Sequence, residues 1–300
     1  LWIQPGSITT LAAEPGTGKT LVALKICEMV WNHLPWPDGS EMTVPKGRPS
    51  LWLCYDRAWH GILRAAGKLG LPDEAILLPT TKGKPLWVPD LDDPRTVVLL
   101  ERLIRKYQPW VLIIDTMTYA TSANVAKAHE PKLAYSPLMG VMAETGCSCL
   151  SHTHLSSKGQ VLNRRPRELS RIVLKLKAPD PESHKRLRFW IDKTDDEKPP
   201  PLGVTIGGDA LVAFDDAPPV ENPSTTSRGP QPEKSGGFAP QGGLTGDGPA
   251  PWLAGRVLVE CERPGYPGAH RGERTGRRRG ALVRGRHVTR RPADAEMDRA

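Results

Sequence analysis

Apolar residues enter this chain in two rhythms. Short unbroken runs at Ile8–Ala12, Ser50–Tyr55, Ala75–Leu78, Trp110–Ile114 and Cys147–Ser151 predict buried strands. Between them the spacing lengthens to the helical period, at Leu21, Leu24, Ile26 and Val30, then from Ile62 to Leu69. It returns at Val97, Leu100, Leu103 and Ile104, and again over Leu133–Glu144. Asp92-Asp93-Pro94 reads as a helix start, with proline in the first turn and the helix ending near Tyr107. Trp31–Pro49 is rich in Pro and Gly and reads as a surface loop. This alternation of strand and helix from Ser7 to His154 predicts a mainly parallel α/β sheet flanked by helices. After Ser170 the long helices stop. Arg171–Leu176, Leu187–Ile191, Val204–Ile206 and Ala210–Phe214 predict additional antiparallel edge strands.

Composition then divides the chain. Residues 1–215 carry the core pattern. Residues 216–250 form a Pro/Gly-rich linker by composition, and 251–300 an Arg-rich tail expected to be disordered. The net charge of +8 is unevenly spread, because 251–300 hold twelve Arg, no Lys and six acids. The tail accounts for +6 of that charge, and residues 1–250 are nearly neutral. Three readings of the tail stay open: a basic arm for nucleic acid centred on Arg277-Arg278-Arg279, a solvated tail, or a misread frame. The five cysteines are odd in number and scattered, which disfavours a disulfide framework. The chain starts at Leu1 rather than Met, as a fragment would, and has neither a signal peptide nor an apolar run of membrane-spanning length. A soluble, cytoplasmic protein is the expectation.

The chemistry gathers where strands end. Ala13-Glu14-Pro15-Gly16-Thr17-Gly18-Lys19-Thr20 matches a phosphate-binding loop, with Ala13 in place of the usual leading glycine. Small residues let the backbone curl so that its N–H groups converge on phosphates, which makes Glu14 to Thr20 the candidate binding segment. Lys19 supplies a point charge, Thr20 a hydroxyl for Mg²⁺, and the following helix its positive N-terminal end. Asp115 closes the strongest strand of the chain and is the second candidate Mg²⁺ residue. Thr116 follows it, where ATPases of the AAA+ type carry a water-activating Glu. A general base must then come from another strand. Asp56 is the candidate, and its other reading is a helix N-cap. His154, at a third strand end, is a candidate γ-phosphate sensor. His152 and His154 make a poor zinc pair without a third ligand. All these residues fall at the carboxyl ends of predicted strands, where parallel sheets bind ligands.

The segments GSITTLAAEPGTGKT, LWLCYDRAWHGILRAAG, WVLIIDTMTYAT and ETGCSCLSHTHLSSKGQ resemble the RecA-like, hexamer-forming ATPases of the plasmid replication helicase RepA type. The later stretches LKAPDPESHKRLRFWIDKT and PPPLGVTIGGD are similar too, and the resemblance runs from about Gly6 to Phe214. It implies a RecA-like P-loop NTPase fold, ATP and Mg²⁺ as cofactors, and a site between neighbouring subunits of a ring. It further implies a homo-oligomer, up to a hexamer, working on single-stranded DNA through backbone contacts. By position, Glu14–Thr20 bind phosphate, Asp115 holds the metal and His154 is the sensor. Lys193 is the residue placed to reach a neighbour's site, with Arg164, Arg165 and Arg171 as runners-up. Asp56 stands where relatives have Glu, and Ser157-Lys158 departs from a basic-then-acidic pair. Two other functions stay open. One is a P-loop kinase of a small molecule, with Arg164–Arg171 as its lid. The other is a nucleotide-binding regulatory module with little or no hydrolysis.

Overall fold

The computed structural model describes residues 2–55, 59–81, 89–121, 131–155, 164–179, 186–208, 211–218 and 258–261. The chain divides into a unit of Leu1–Arg263 and a unit of Pro264–Ala300; every described residue belongs to the first. Asp56, Ser157-Lys158, most of the linker and nearly all of the Arg-rich tail lie outside the described residues.

The first half winds strand and helix in turn: β1 (Ile8–Ala13), α1 (Lys19–Asn32), β2 (Ser50–Cys54), α2 (Trp59–Lys68), β3 (Ile76–Thr81), α3 (Pro94–Tyr107) and β4 (Val111–Asp115). A one-turn α4 (Met117–Ala120), α5 (Pro131–Thr145), β5 (Ser148–His154) and α6 (Arg164–Leu169) follow. Strands β6 (Ile172–Lys177), β7 (Arg186–Lys193), β8 (Leu202–Ile206), β9 (Val212–Asp216) and β10 (Leu258–Cys261) complete the described elements. The strand order is β10-β3-β2-β4-β5-β1-β6-β7-β8-β9. Strands β10 to β6 in that order run parallel, and β7, β8 and β9 are added antiparallel.

The two faces of the strands feed two cores. Leu11, Trp52, Ile113 and Leu150 pack with α1 and α2, and the alternate residues Leu51, Leu53, Leu112, Ile114 and Cys149 pack with α3 and α5. This period-two division explains why β2 and β4 are apolar over nearly their whole length: both faces are covered. Helix α3 starts as its sequence requires. Asp93 is the N-cap, accepts from the Arg95 backbone N–H, and precedes Pro94.

Three expectations change. Trp31–Pro49 is not simply a surface loop, because Trp36 and Met42 are buried in the α1-side core and Trp36 meets Trp110 edge-on. A run of Pro and Gly marks the backbone as irregular, yet says nothing of where its apolar side chains go. Strand β6 is not antiparallel: it pairs in parallel with β1, and the sheet reverses only at β7. Within 251–300, expected to be disordered, the backbone of Leu258–Cys261 pairs in parallel with β3.

Candidate nucleotide-binding site

Strand β1 lies between β5 and β6, and its end delivers the chain to the phosphate-binding loop. Gly16 and Gly18 take φ of 77° and 97°, the left-handed region where a Cβ is penalised. The Thr17 hydroxyl donates to the Glu14 carbonyl at 2.7 Å and closes the loop upon itself. Gly18 is the N-cap of α1, so no side chain caps that helix, and no acid stands in its first turn. The N-terminal N–H groups are therefore left to an anion from outside.

Three strand ends meet at this loop. Lys19, only 6% exposed, donates from Nζ to the Ala13 and Glu14 carbonyls, both at 3.1 Å. Its Nζ also lies 3.3 Å from His154 Nδ1, at the end of β5. The Thr20 hydroxyl donates to Asp115 Oδ2 at 2.7 Å, across from the end of β4. Asp115 is 3% exposed, and the peptide that joins it to Thr116 is cis. Pro15, Gly16, Gly18, Lys19, Thr20, Asp115 and His154 line one cleft. Its floor is dry. Burial, then the Asp115 charge, pushes the Cys54 thiol up to about 12. Burial also raises the Tyr55 hydroxyl, with Asp90 and Cys54 adding to it.

The donor set fits a magnesium-bound nucleoside triphosphate. A buried cation, a row of uncapped N–H groups and a hydroxyl–carboxylate pair face one cleft, and each complements a phosphate or its metal. The Lys19 contacts to loop carbonyls are ones that a phosphate would replace.

Residues 1–160 match the family model described as AAA domain. The chain belongs to the AAA-domain family. No curated protein matches it. Among solved structures, the RadB recombinase is 11% identical, with 72% of this chain and 93% of that one covered at a TM-score of 0.50. A KaiC-like protein from the archaeon Pyrococcus horikoshii OT3 is 15% identical over 70% of this chain and 89% of that one, at a TM-score of 0.48. The AAA domain here has a RecA-like fold, mainly parallel with antiparallel strands at one edge, and is a nucleotide-binding ATPase module.

The AAA domain brings Glu14 to Thr20, Asp115 and His154 together. Asp56 is outside the described residues, though Tyr55 directly before it donates its N–H to the Asp115 carbonyl at 2.7 Å. Lys193 is elsewhere. It pairs with Val173, three residues short of Leu176, the partner of Ala13 at the loop. Its Nζ donates to the carbonyls of Arg167, Glu168 and Ser170. Arg171 is ion-paired to Asp195 at 2.6 Å and begins β6 at the edge opposite the loop, while Arg167 pairs with Asp192 at 3.3 Å. Neither is a lid over the cleft. No cluster of three or more potential metal ligands occurs among the described residues, so the zinc pair gains nothing. No described helix is long and apolar enough to cross a membrane.

Sequence reasoning missed Ile206. Strand β8 runs in the same direction as β1, so its end reaches the loop, and the Ile206 Cδ1 methyl fills the place a Gly18 Cβ would take. Only the sheet order could have signalled that.

Proposed function

We propose that this AAA domain binds ATP with Mg²⁺ and couples hydrolysis to work on DNA, as a replication-linked, helicase-type motor. The observation that carries the reading is the meeting of Lys19, Thr20, Asp115 and His154 at three strand ends. Lys19 and the N–H groups of the loop would hold the β- and γ-phosphates, and Thr20 and Asp115 the metal. When bound, Mg²⁺ neutralises charge that grows on the phosphates during transfer. His154, whose Nδ1 lies 3.3 Å from Lys19 Nζ, would follow whether the γ-phosphate is present. Asp56, one residue past Tyr55, is the candidate to orient and deprotonate the attacking water.

The resemblance to ring-forming helicases supports a homo-oligomer, up to a hexamer, with single-stranded DNA as the substrate and backbone contacts as the mode of binding. In such a ring Lys193 would serve a neighbour's site only by leaving its three carbonyls. Asp56, standing where the resembled ATPases have Glu, favours one second reading, a nucleotide-binding regulatory module that hydrolyses slowly or not at all.

The test is ATP turnover with and without single-stranded DNA, in the wild type and in Lys19→Ala. Turnover that DNA stimulates, and that Lys19→Ala abolishes, is the expected result. Turnover indifferent to DNA would contradict a DNA motor. Binding of ATP without turnover in either condition would favour the regulatory module.

A further inference from the structure

His152 is the polar residue of the site region that the scheme above does not use. It stands two residues before His154 on β5, so both rings leave the same face of the sheet, the face that carries α1. Its neighbours in the sheet are Leu11 on β1 and, one step past the Ile114–Ser151 pair, Asp115 on β4. The ring is fully buried, at 0% exposure. Nδ1 lies 3.0 Å from Asp115 Oδ1, inside ion-pair distance. It is nevertheless off the line a hydrogen bond takes, and neither ring nitrogen has an aligned partner.

An imidazole in this position is costly to fold. A buried donor or acceptor without a partner loses its water and gains nothing in exchange. An apolar residue would fill the same space on a strand whose neighbours are Leu150 and Leu11. Core packing therefore does not explain the histidine. The Asp115 carboxylate does: its Oδ2 takes the Thr20 hydroxyl, and Oδ1 faces His152. Buried side chains behind metal-side carboxylates and imidazoles fix their orientation and tune affinity for the metal.

We propose that His152 is a positioning residue for Asp115. From 3.0 Å, its Nδ1 edge steadies Oδ1 and thereby holds Oδ2 toward Thr20 and the metal. It touches no phosphate and moves no proton. The inference rests on the reading of Asp115 as the Mg²⁺-side acid.

Its test is calorimetric binding of a non-hydrolysable ATP analogue to the full chain, titrated with Mg²⁺ at fixed pH, in the wild type, His152→Leu and His152→Asn. Leucine fills the space without a donor, and asparagine returns an amide N–H close to the place of Nδ1. In His152→Leu the metal-free affinity and the melting temperature hold or rise. The Mg²⁺ concentration for half effect climbs about 10–100-fold. His152→Asn restores it to within a few-fold of wild type. Unchanged Mg²⁺ dependence in His152→Leu would overturn the proposal. So would a His152→Leu protein that does not fold beside a stable His152→Asn whose Mg²⁺ dependence is as weak as that of Asp115→Ala. A wild type whose analogue binding ignores Mg²⁺ would instead remove the metal reading of Asp115 itself.

Discussion

Gly18 cannot carry a side chain for two separate reasons. Its φ of 97° is a conformation that L-residues avoid, and the Ile206 methyl occupies the space of a Cβ. The second obstacle is the far end of a flexible side chain, and the first is the backbone itself. Gly18→Ala should therefore destabilise the domain by about 1–2 kcal/mol. Adding Ile206→Ala should not restore it. Thermal melts of the single and double variants decide this, and full recovery in the double variant would place the strain in the side chain. In the proposed complex Lys19→Ala would remove a charge that holds the phosphates, a loss of about 1.5–3 kcal/mol. That corresponds to roughly tenfold to hundredfold weaker ATP binding. At this scale much of the cleft was legible in the sequence. Glu14 to Thr20 form a contiguous loop whose residue types follow from what phosphate needs, and Asp115 and His154 end obvious strands. His152 and Ile206 were not legible as site residues, because what they touch depends on which strands lie side by side.

At the scale of elements, Lys193 illustrates how a strand can hold a helix. Helix α6 ends beside β7, and the Lys193 ammonium donates to the carbonyls of Arg167 and Glu168 in its last turn and of Ser170 just past it. Cations at helix C-termini are stabilising through the helix dipole as well as through direct bonds. Lys193→Met keeps the stem and removes the donor, and should lower stability by about 1–2 kcal/mol. Urea unfolding measures it, with an unchanged slope and a lower midpoint as the expected result. An unchanged midpoint would mean that these contacts are dispensable and would leave Lys193 available to a neighbouring subunit. Periodicity located nearly every element of the first half, since each strand is buried on both faces and each helix on one. It failed at α4 and α6, which are too short to show a period. It also could not orient β6, because parallel and antiparallel pairing impose the same alternation on a single strand.

The described residues build a sheet with an apolar core on each face, and its thiols record that. Burial pushes Cys27, Cys54 and Cys147 up to about 12 from the ordinary 9.0, and raises Cys149 in the same direction. These groups stay protonated when folded while the unfolded chain can ionise them. Their contribution to stability is thus complete below pH 9 and is lost as pH rises toward the folded values. Urea midpoints should hold up to about pH 8 and fall progressively above pH 9. A midpoint that rises with pH in that window would contradict the buried assignment. The uneven charge of the chain was read from composition alone, and its tail lies almost wholly outside the described residues. What the molecule does therefore turns on the cleft at the sheet's carboxyl edge. Calorimetric titration of ATP into the wild type, Lys19→Ala and Asp115→Ala, each with and without Mg²⁺, tests that claim most directly. The account predicts that Lys19→Ala weakens binding in both conditions, whereas Asp115→Ala abolishes only the gain from Mg²⁺. Wild-type affinity in Lys19→Ala, or a full Mg²⁺ effect in Asp115→Ala, would contradict it.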